Sequence, residues 1–338
     1  MAARKKRLIL LAVLLAVTGG LRVSGNLVAS DAPAVGNLYP SAGAQGALAP
    51  HRAGVRGGGP ALSEVEGQAS GNDRAPVTRI ISLVPALTEM LFAIGAGPQV
   101  IAVSSYDDFP PEVKALPSVG ALLDPDVERI LALRPGLVLT YGSQSGLEVQ
   151  LARAGIRTFS YRHGGVASVL QSLRDLGAAT GHAADGDRKA REIQAQLDGV
   201  QARVRAYQRP RTLLVFGRQP QSLQQMYVSG GVGFLHDILQ IAGGANLFAD
   251  VRQESVQPSH ETLLARAPDA IVEVRATRLL AAADEPRERS LWAALASIPA
   301  VRNGRIHFLN GDYLVVPGPR VGLAADAFAR ALHPEAFQ

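Results

Sequence analysis

The chain has 338 residues, 47% of them hydrophobic, enough for two ordinary domains with real cores. It contains no cysteine, which excludes structural disulfides, thiolate metal sites, a cysteine nucleophile and a lipidated N-terminal cysteine. Four of the charges behind its net +5 are Arg4, Lys5, Lys6 and Arg7, so its basicity is local and does not argue for nucleic acid as a partner.

Those four residues precede ten, Leu8 to Val17, without a polar side chain. A charged start followed by a short apolar run predicts an export signal over residues 1–25 and a periplasmic location, with an uncleaved membrane anchor as the alternative. Residues 26–76 are rich in Gly, Ala, Ser and Pro and have no sustained apolar period, which predicts a disordered linker. The folded part is expected from Val77, with an N-terminal lobe over 77–182.

In that lobe Arg79 to Val84 reads as a strand, Ala86 to Ile94 as a helix stopped at Gly95-Ala96-Gly97, and Val100 to Val103, Leu137 to Tyr141 and Ile156 to Tyr161 as further strands. Helices are expected at Asp126 to Arg134, Gly146 to Ala154 and Val166 to Thr180. Strands alternating with helices of this length imply parallel sheet. From Ala183 to Tyr207 the positions Ala190, Ile193, Leu197, Val200, Val204 and Tyr207 recur in steps of three and four, with only Gly186 and Gly199 as weak points. That is one amphipathic helix, roughly 37 Å long at 1.5 Å per residue. It is expected to bridge the lobes as a stiff strut over 183–208, so closure on a ligand should be small.

The C-terminal lobe, 209–338, repeats the recipe. Thr212 to Phe216 reads as a strand, Val232 to Ala242 as a helix ended by Gly243-Gly244, Arg305 to Leu309 as a strand, and Pro319 to Leu332 as a last helix. Trp292, the sole tryptophan, falls on an amphipathic helix and belongs to the core. One pattern occurs in both halves. Glu128-Arg-Ile-Leu-Ala-Leu-Arg-Pro135 and Glu261-Thr-Leu-Leu-Ala-Arg-Ala-Pro268 share Glu, Leu, Ala and Pro in register, each followed by an apolar run. Each reads as helix, proline stop and strand. The fold class is therefore α/β, with two Rossmann-like lobes of parallel sheet joined by a single long α-helix.

Ile80-Ile-Ser-Leu-Val-Pro-Ala-Leu-Thr-Glu89-Met-Leu-Phe-Ala-Ile-Gly95, the stretch Val103-Ser-Ser-Tyr106-Asp-Asp-Phe109-Pro110-Pro111, both Glu-x-x-Leu-Ala-x-x-Pro copies and Ser229-Gly-Gly-Val-Gly-Phe-Leu-His-Asp237 carry a family resemblance. Together they resemble the substrate-binding proteins of ATP-binding-cassette importers for cobalamin, haem and ferric siderophores, and the Tyr106 stretch is most similar to the cobalamin branch. The resemblance implies a chelate captured between the lobes, no covalently bound cofactor, a monomer, and delivery to a transmembrane permease with its ATPase. It implies that Tyr106 contacts the macrocycle, that Asp312 matches a ligand-site aspartate, and that Glu128 and Glu261 dock on permease arginines. The positions that resemble the corrin-flanking tryptophans of cobalamin binders are Leu123 and Gln257.

Ligands of parallel α/β lobes collect at the carboxyl ends of the strands. Those ends give Tyr106, Tyr141, Tyr161 and Arg162 in one half, and Arg218, Arg275, Asp312 and Tyr313 in the other. A planar macrocycle suits aromatic faces, and arginine suits a propionate or amide rim. Haem needs an axial ligand, for which Tyr141, Tyr161, Tyr227 and His163 are candidates. A ferric siderophore needs a basic pocket, for which Arg162, Arg218, Arg275 and Arg320 are candidates. Enzyme signatures are missing: there is no Gly-x-Ser-x-Gly, no phosphate loop and no His-Glu-x-x-His. The seven histidines are dispersed, so no metal site and no catalytic residue is expected. A metal-assisted hydrolase built on Asp107, Asp108 and Asp312 is the remaining enzymatic reading.

Overall fold

The computed structural model describes residues 77–338, apart from residue 163 and residues 276–283. The expectations for 1–25, for 26–76 and for His163 lie outside the described residues. No helix among those described is long and apolar enough to cross a membrane.

The first lobe is built from β1 (Ile80–Ser82), α1 (Pro85–Ala93), β2 (Val100–Val103), α2 (Val127–Ala132), β3 (Leu137–Tyr141), α3 (Ser145–Arg153), β4 (Arg157–Tyr161) and α4 (Val166–Thr180). Its sheet has the order β2-β1-β3-β4 and every pair is parallel. The side-chain period of two divides each strand between two cores. Ile80, Leu137 and Leu139 face the larger interior, while Ile81 and Val138 face an outer core closed by Ile130, Leu147 and Leu151.

The helix α5 (Ala183–Val204) then crosses to the second lobe, which contains β5 (Arg211–Gly217), β6 (Tyr227–Ser229), α6 (Phe234–Ile241), β7 (Ala245–Asn246), β8 (Ser255–Val256), α7 (His260–Arg266), β9 (Ala270–Arg275), α8 (Glu285–Leu291), α9 (Pro299–Arg302), β10 (Ile306–Asn310) and α10 (Val321–Leu332). The sheet order is β10-β9-β5-β6-β8, with β7 beside β5. Strands β10, β9, β5 and β7 are parallel, as the sequence predicts; β6 runs antiparallel to β5, and β8 antiparallel to β6. A parallel return needs a crossover of about a dozen residues or more, and the connection 218–226 is too short to carry a helix. Trp292 is fully buried in this lobe's outer core with Leu213, Val215 and Ile271.

The strut binds both lobes into one interior. Ala190, Ile193, Leu197 and Val204 of α5 share a continuous apolar core with Leu173 and Leu176 of α4 and with Leu239, Ala325 and Phe328 of the second lobe. Gly186 reads in the sequence as a weak point of this helix, but its lack of a side chain is what lets α4 approach. A Cβ there would lie 2.5 Å from the backbone oxygen of Leu173, whereas a Cβ at Gly199 meets nothing within 4 Å. The two glycines should thus respond oppositely to the same change. Gly199→Ala is expected to stabilise the chain by about 0.5–1 kcal/mol through helix propensity. Gly186→Ala is expected to destabilise it by about 1–2 kcal/mol, because overpacking outweighs that gain. Urea unfolding of the two variants checks the sign, and a stabilised Gly186→Ala would refute the close contact.

The repeated pattern folds in the same way in both lobes, as a short capped helix, a buried proline and a strand. Asp126 accepts a hydrogen bond from the Arg129 N–H at 3.0 Å, and Ser259 accepts one from the Thr262 N–H at 3.1 Å, so each helix has a side-chain N-cap. Ile130 and Leu263 are fully buried, and Pro135 and Pro268 are buried. The residue before each proline is left-handed, Arg134 at φ 47° and Ala267 at φ 43°; proline bars the ordinary helical conformation from its predecessor. An arginine at the start of each lobe's first strand finishes the cap. Arg79 donates to the carbonyls of Leu133 (2.5 Å) and Arg134 (3.2 Å), and Arg211 donates to those of Arg266 (2.5 Å) and Ala267 (3.4 Å).

Candidate ligand and docking sites

The carboxyl end of β2 leads into a turn organised by its own side chains. The Ser104 N–H and Oγ–H both donate to Asp107 Oδ2, at 2.8 and 2.5 Å, and the Tyr106 N–H donates to Ser104 Oγ at 3.2 Å. This holds Tyr106 half-buried at the turn's tip, and burial raises its phenol's pKa. Asp107 Oδ1 is buried without a hydrogen-bond partner among the described residues. Desolvation therefore dominates, and despite the Ser104 hydrogen bonds and the lowering influence of Thr88 it pushes Asp107 from 3.8 up to about 6.

That shift has a sign. Asp107 holds its proton more tightly in the folded chain than in the unfolded one, so its contribution falls as pH rises from about 4 through about 6 and is level above. The loss is on the order of 2–3 kcal/mol. Asp107→Asn is expected to remove that slope, seen as a shallower decline of melting temperature from pH 4 to pH 7 than in the parent. Parallel curves would mean that Asp107 is not desolvated.

Across from this turn, β10 ends in a loop that carries Asp312, Tyr313 and Arg320. Arg320 joins the lobes: its Nε and Nη2 donate to Glu89 Oε2 and Oε1 at 2.8 and 2.5 Å, and its Nη1 donates to Asp312 Oδ1 at 2.9 Å. Its guanidinium stacks 4.0 Å from the Phe109 ring centroid and lies 6.0 Å from that of Tyr313. Desolvation opposes the charge on Arg320, but Glu89 and Asp312 outweigh it and raise its pKa. Burial likewise works to raise Asp312, and Arg320 together with the Tyr313 N–H overcomes it and holds that carboxyl below its ordinary value. At Glu89 burial wins, so its carboxyl sits above the ordinary range even beside the guanidinium. A second cross-lobe bond lies nearer the strut. The Val166 N–H, in the first turn of α4, donates to Asp237 Oδ2 of α6 at 2.8 Å.

The structure thus brings Phe109, Asp312, Tyr313 and Arg320 to the junction of the lobes, with Tyr106 three residues before Phe109 in the same turn segment. It leaves Arg218 elsewhere. Arg218 and Arg275 are buried with Glu273 and Glu288: Arg218 Nε donates to Glu273 Oε1 at 3.1 Å and its Nη2 to Glu288, while Arg275 Nη2 donates to Glu273 Oε1 at 2.7 Å. These guanidiniums are committed to carboxylates. Tyr141 and Tyr161 are both buried, edge to face with ring centroids 6.0 Å apart. The Tyr161 hydroxyl has no hydrogen-bond partner among the described residues, and desolvation raises its pKa, which disfavours the phenolate a ferric ion would need. Tyr227 is half-buried beside Phe216, with centroids 6.4 Å apart. Among the described residues no three His, Asp or Glu side chains are grouped to hold a metal, and Asp312 faces Arg320.

Sequence reading missed the partnership of Glu89 with Arg320. A signal was present: Glu89 lies among Leu87, Met90 and Leu91 on a largely buried helix, and a buried carboxylate requires a partner. Glu128 and Glu261, by contrast, are exposed in the first turns of α2 and α7.

A family model described as periplasmic binding protein matches residues 80–313. The chain belongs to the periplasmic binding protein family. This periplasmic binding protein is 32% identical over 257 residues to the vitamin B12-binding protein of Salmonella typhimurium, covering 75% of this chain and 90% of that one. It is 30% identical over 256 residues to the vitamin B12-binding protein of Yersinia pestis, covering 75% and 86%. Among solved structures, the periplasmic vitamin B12 binding protein of Vibrio cholerae aligns with a TM-score of 0.65 at 24% identity, covering 78% of this chain and 99% of that one. A periplasmic haem-binding protein from Roseiflexus aligns with a TM-score of 0.63 at 26% identity, covering 76% and 99%. The binding protein therefore has the two-lobe fold of relatives described as vitamin B12-binding and haem-binding proteins.

Proposed function

We propose that this binding protein is exported, captures a cobalamin-like corrinoid at the junction of its lobes, 77–182 and 209–338, and delivers it to a permease coupled to an ATPase. The observation that carries the choice of cargo is the fate of the arginines. Of the four residues that could form a basic pocket, Arg218, Arg275 and Arg320 are each paired with carboxylates, and at the junction Glu89 and Asp312 hold the guanidinium of Arg320. Such a surface offers little to the two propionates of haem or to an acidic ferric siderophore. It suits a macrocycle whose rim consists of neutral amides, which donate to Asp312 and stack on Tyr106 and Tyr313. The B12-binding relatives favour the same cargo.

Titrating the intact chain with cyanocobalamin, hemin and a ferric siderophore, followed by visible absorbance, tests the reading. One-to-one binding of cyanocobalamin at least about 100-fold tighter than hemin is expected. Tighter binding of hemin or the siderophore would overturn it. Glu128 and Glu261 are the proposed permease contacts, one per lobe.

A further inference from the structure

The two copies of the pattern match in more than their glutamates. Three residues after Glu128 comes Leu131, and three after Glu261 comes Leu264; this spacing places leucine and carboxylate on one helix face. Leu131 is 38% exposed and Leu264 is 44% exposed, although Ile130 and Leu263 beside them are fully buried. Ala132 and Ala265 extend both patches, and they too are exposed. A single exposed leucine is ordinary. Two at the same register of two separately folded copies, each beside an exposed carboxylate with no ion-pair partner among the described residues, form a matched pair of surfaces.

We infer that Leu131 and Leu264 are the apolar half of the docking surface, each entering an apolar hollow beside the basic side chain that receives the neighbouring glutamate. The inference rests on the permease-docking reading. The partner it requires is a permease that presents the same basic and apolar site twice, matching the side-chain N-caps, left-handed residues and buried prolines that both helices share. The carboxylates steer and orient the encounter, while the leucines supply contact area that salt does not screen.

The test measures binding of the intact, unloaded chain to its permease–ATPase complex in lipid nanodiscs, at low and at high salt. Leu131→Ser/Leu264→Ser is expected to weaken docking by about tenfold or more at both salt concentrations. Leu323→Ser, at a 58% exposed leucine on α10, is expected to change nothing. Glu128→Ala/Glu261→Ala is expected to weaken docking at low salt, by a factor that shrinks as salt rises. If the glutamate variant fails to dock and the leucine variant docks like the parent, the leucine inference is wrong and the docking reading stands. If the glutamate variant docks like the parent, both fall. The single variants Leu131→Ser and Leu264→Ser, checked by circular dichroism, separate a lost contact from a lost fold.

Discussion

Replacing Arg320 with alanine is expected to cost the folded chain roughly 3–5 kcal/mol, the penalty of leaving a buried carboxylate without its partner. Glu89 is only 3% exposed and its neighbours on α1 are apolar, so neither water nor another cation can take the guanidinium's place. The pH dependence identifies the mechanism. Without Arg320 the Glu89 carboxyl rises further above its unfolded value, so the folded state gains protons as pH falls and the deficit at neutral pH should shrink toward pH 5. The double change Glu89→Met/Arg320→Met should recover much of the loss, because an apolar pair of similar volume carries no desolvation cost. Urea unfolding of the single and double variants closes the cycle. An Arg320→Ala chain with the parent's midpoint would mean that the cross-lobe pair contributes nothing net. The same variant should bind its cargo less tightly, since Asp312 and Phe109 both lose the group that positions them.

Removing both glutamates, Glu128→Ala/Glu261→Ala, should leave cyanocobalamin binding unchanged while ligand delivery into permease-bearing vesicles falls by roughly 100-fold or more, as expected for two lost charge-assisted contacts. The carboxylates lie in the opening turns of α2 and α7, outside the group of side chains around Arg320. Each single variant should lose part of the delivery. Their separate costs should add, because the residues share no partner. Delivery that survives the double change would remove these residues from the docking surface. Weakened cyanocobalamin binding would instead connect them to the ligand site.

Both predictions depend on how the lobes are joined. The strut shares one core with α4, α6 and α10, and polar links cross between the lobes, among them Arg320 to Glu89 and the first turn of α4 to Asp237. A wide hinge motion would break all of these together. Ligand capture with a small closure is the arrangement this construction favours.

Much of this was legible from local chemistry. The duplicated pattern, its proline stops and the strut's apolar stripe are encoded within a few residues of one another, and caps, proline geometry and helical period act at that range. α4 spans Val166–Thr180 as its periodicity predicts, and the parallel strands β1 to β4 follow from their alternation with helices. The antiparallel course of β6 was not legible from its composition, because a short apolar run has the same pattern in either direction. Gly186 was misread for a related reason: helix propensity describes an isolated helix and knows nothing of Leu173.

The sequence by itself determined the two like halves, the long helix between them and the glutamates repeated at the same point of each, because these features depend on contacts between near neighbours. Only the tertiary structure decided which arginines are available to a ligand. Arg320 meets Glu89 across 231 positions, and Arg218 meets Glu288 across 70. No local pattern announces a pairing over such distances. Burial makes that pairing obligatory, and folding alone selects the carboxylate that satisfies it.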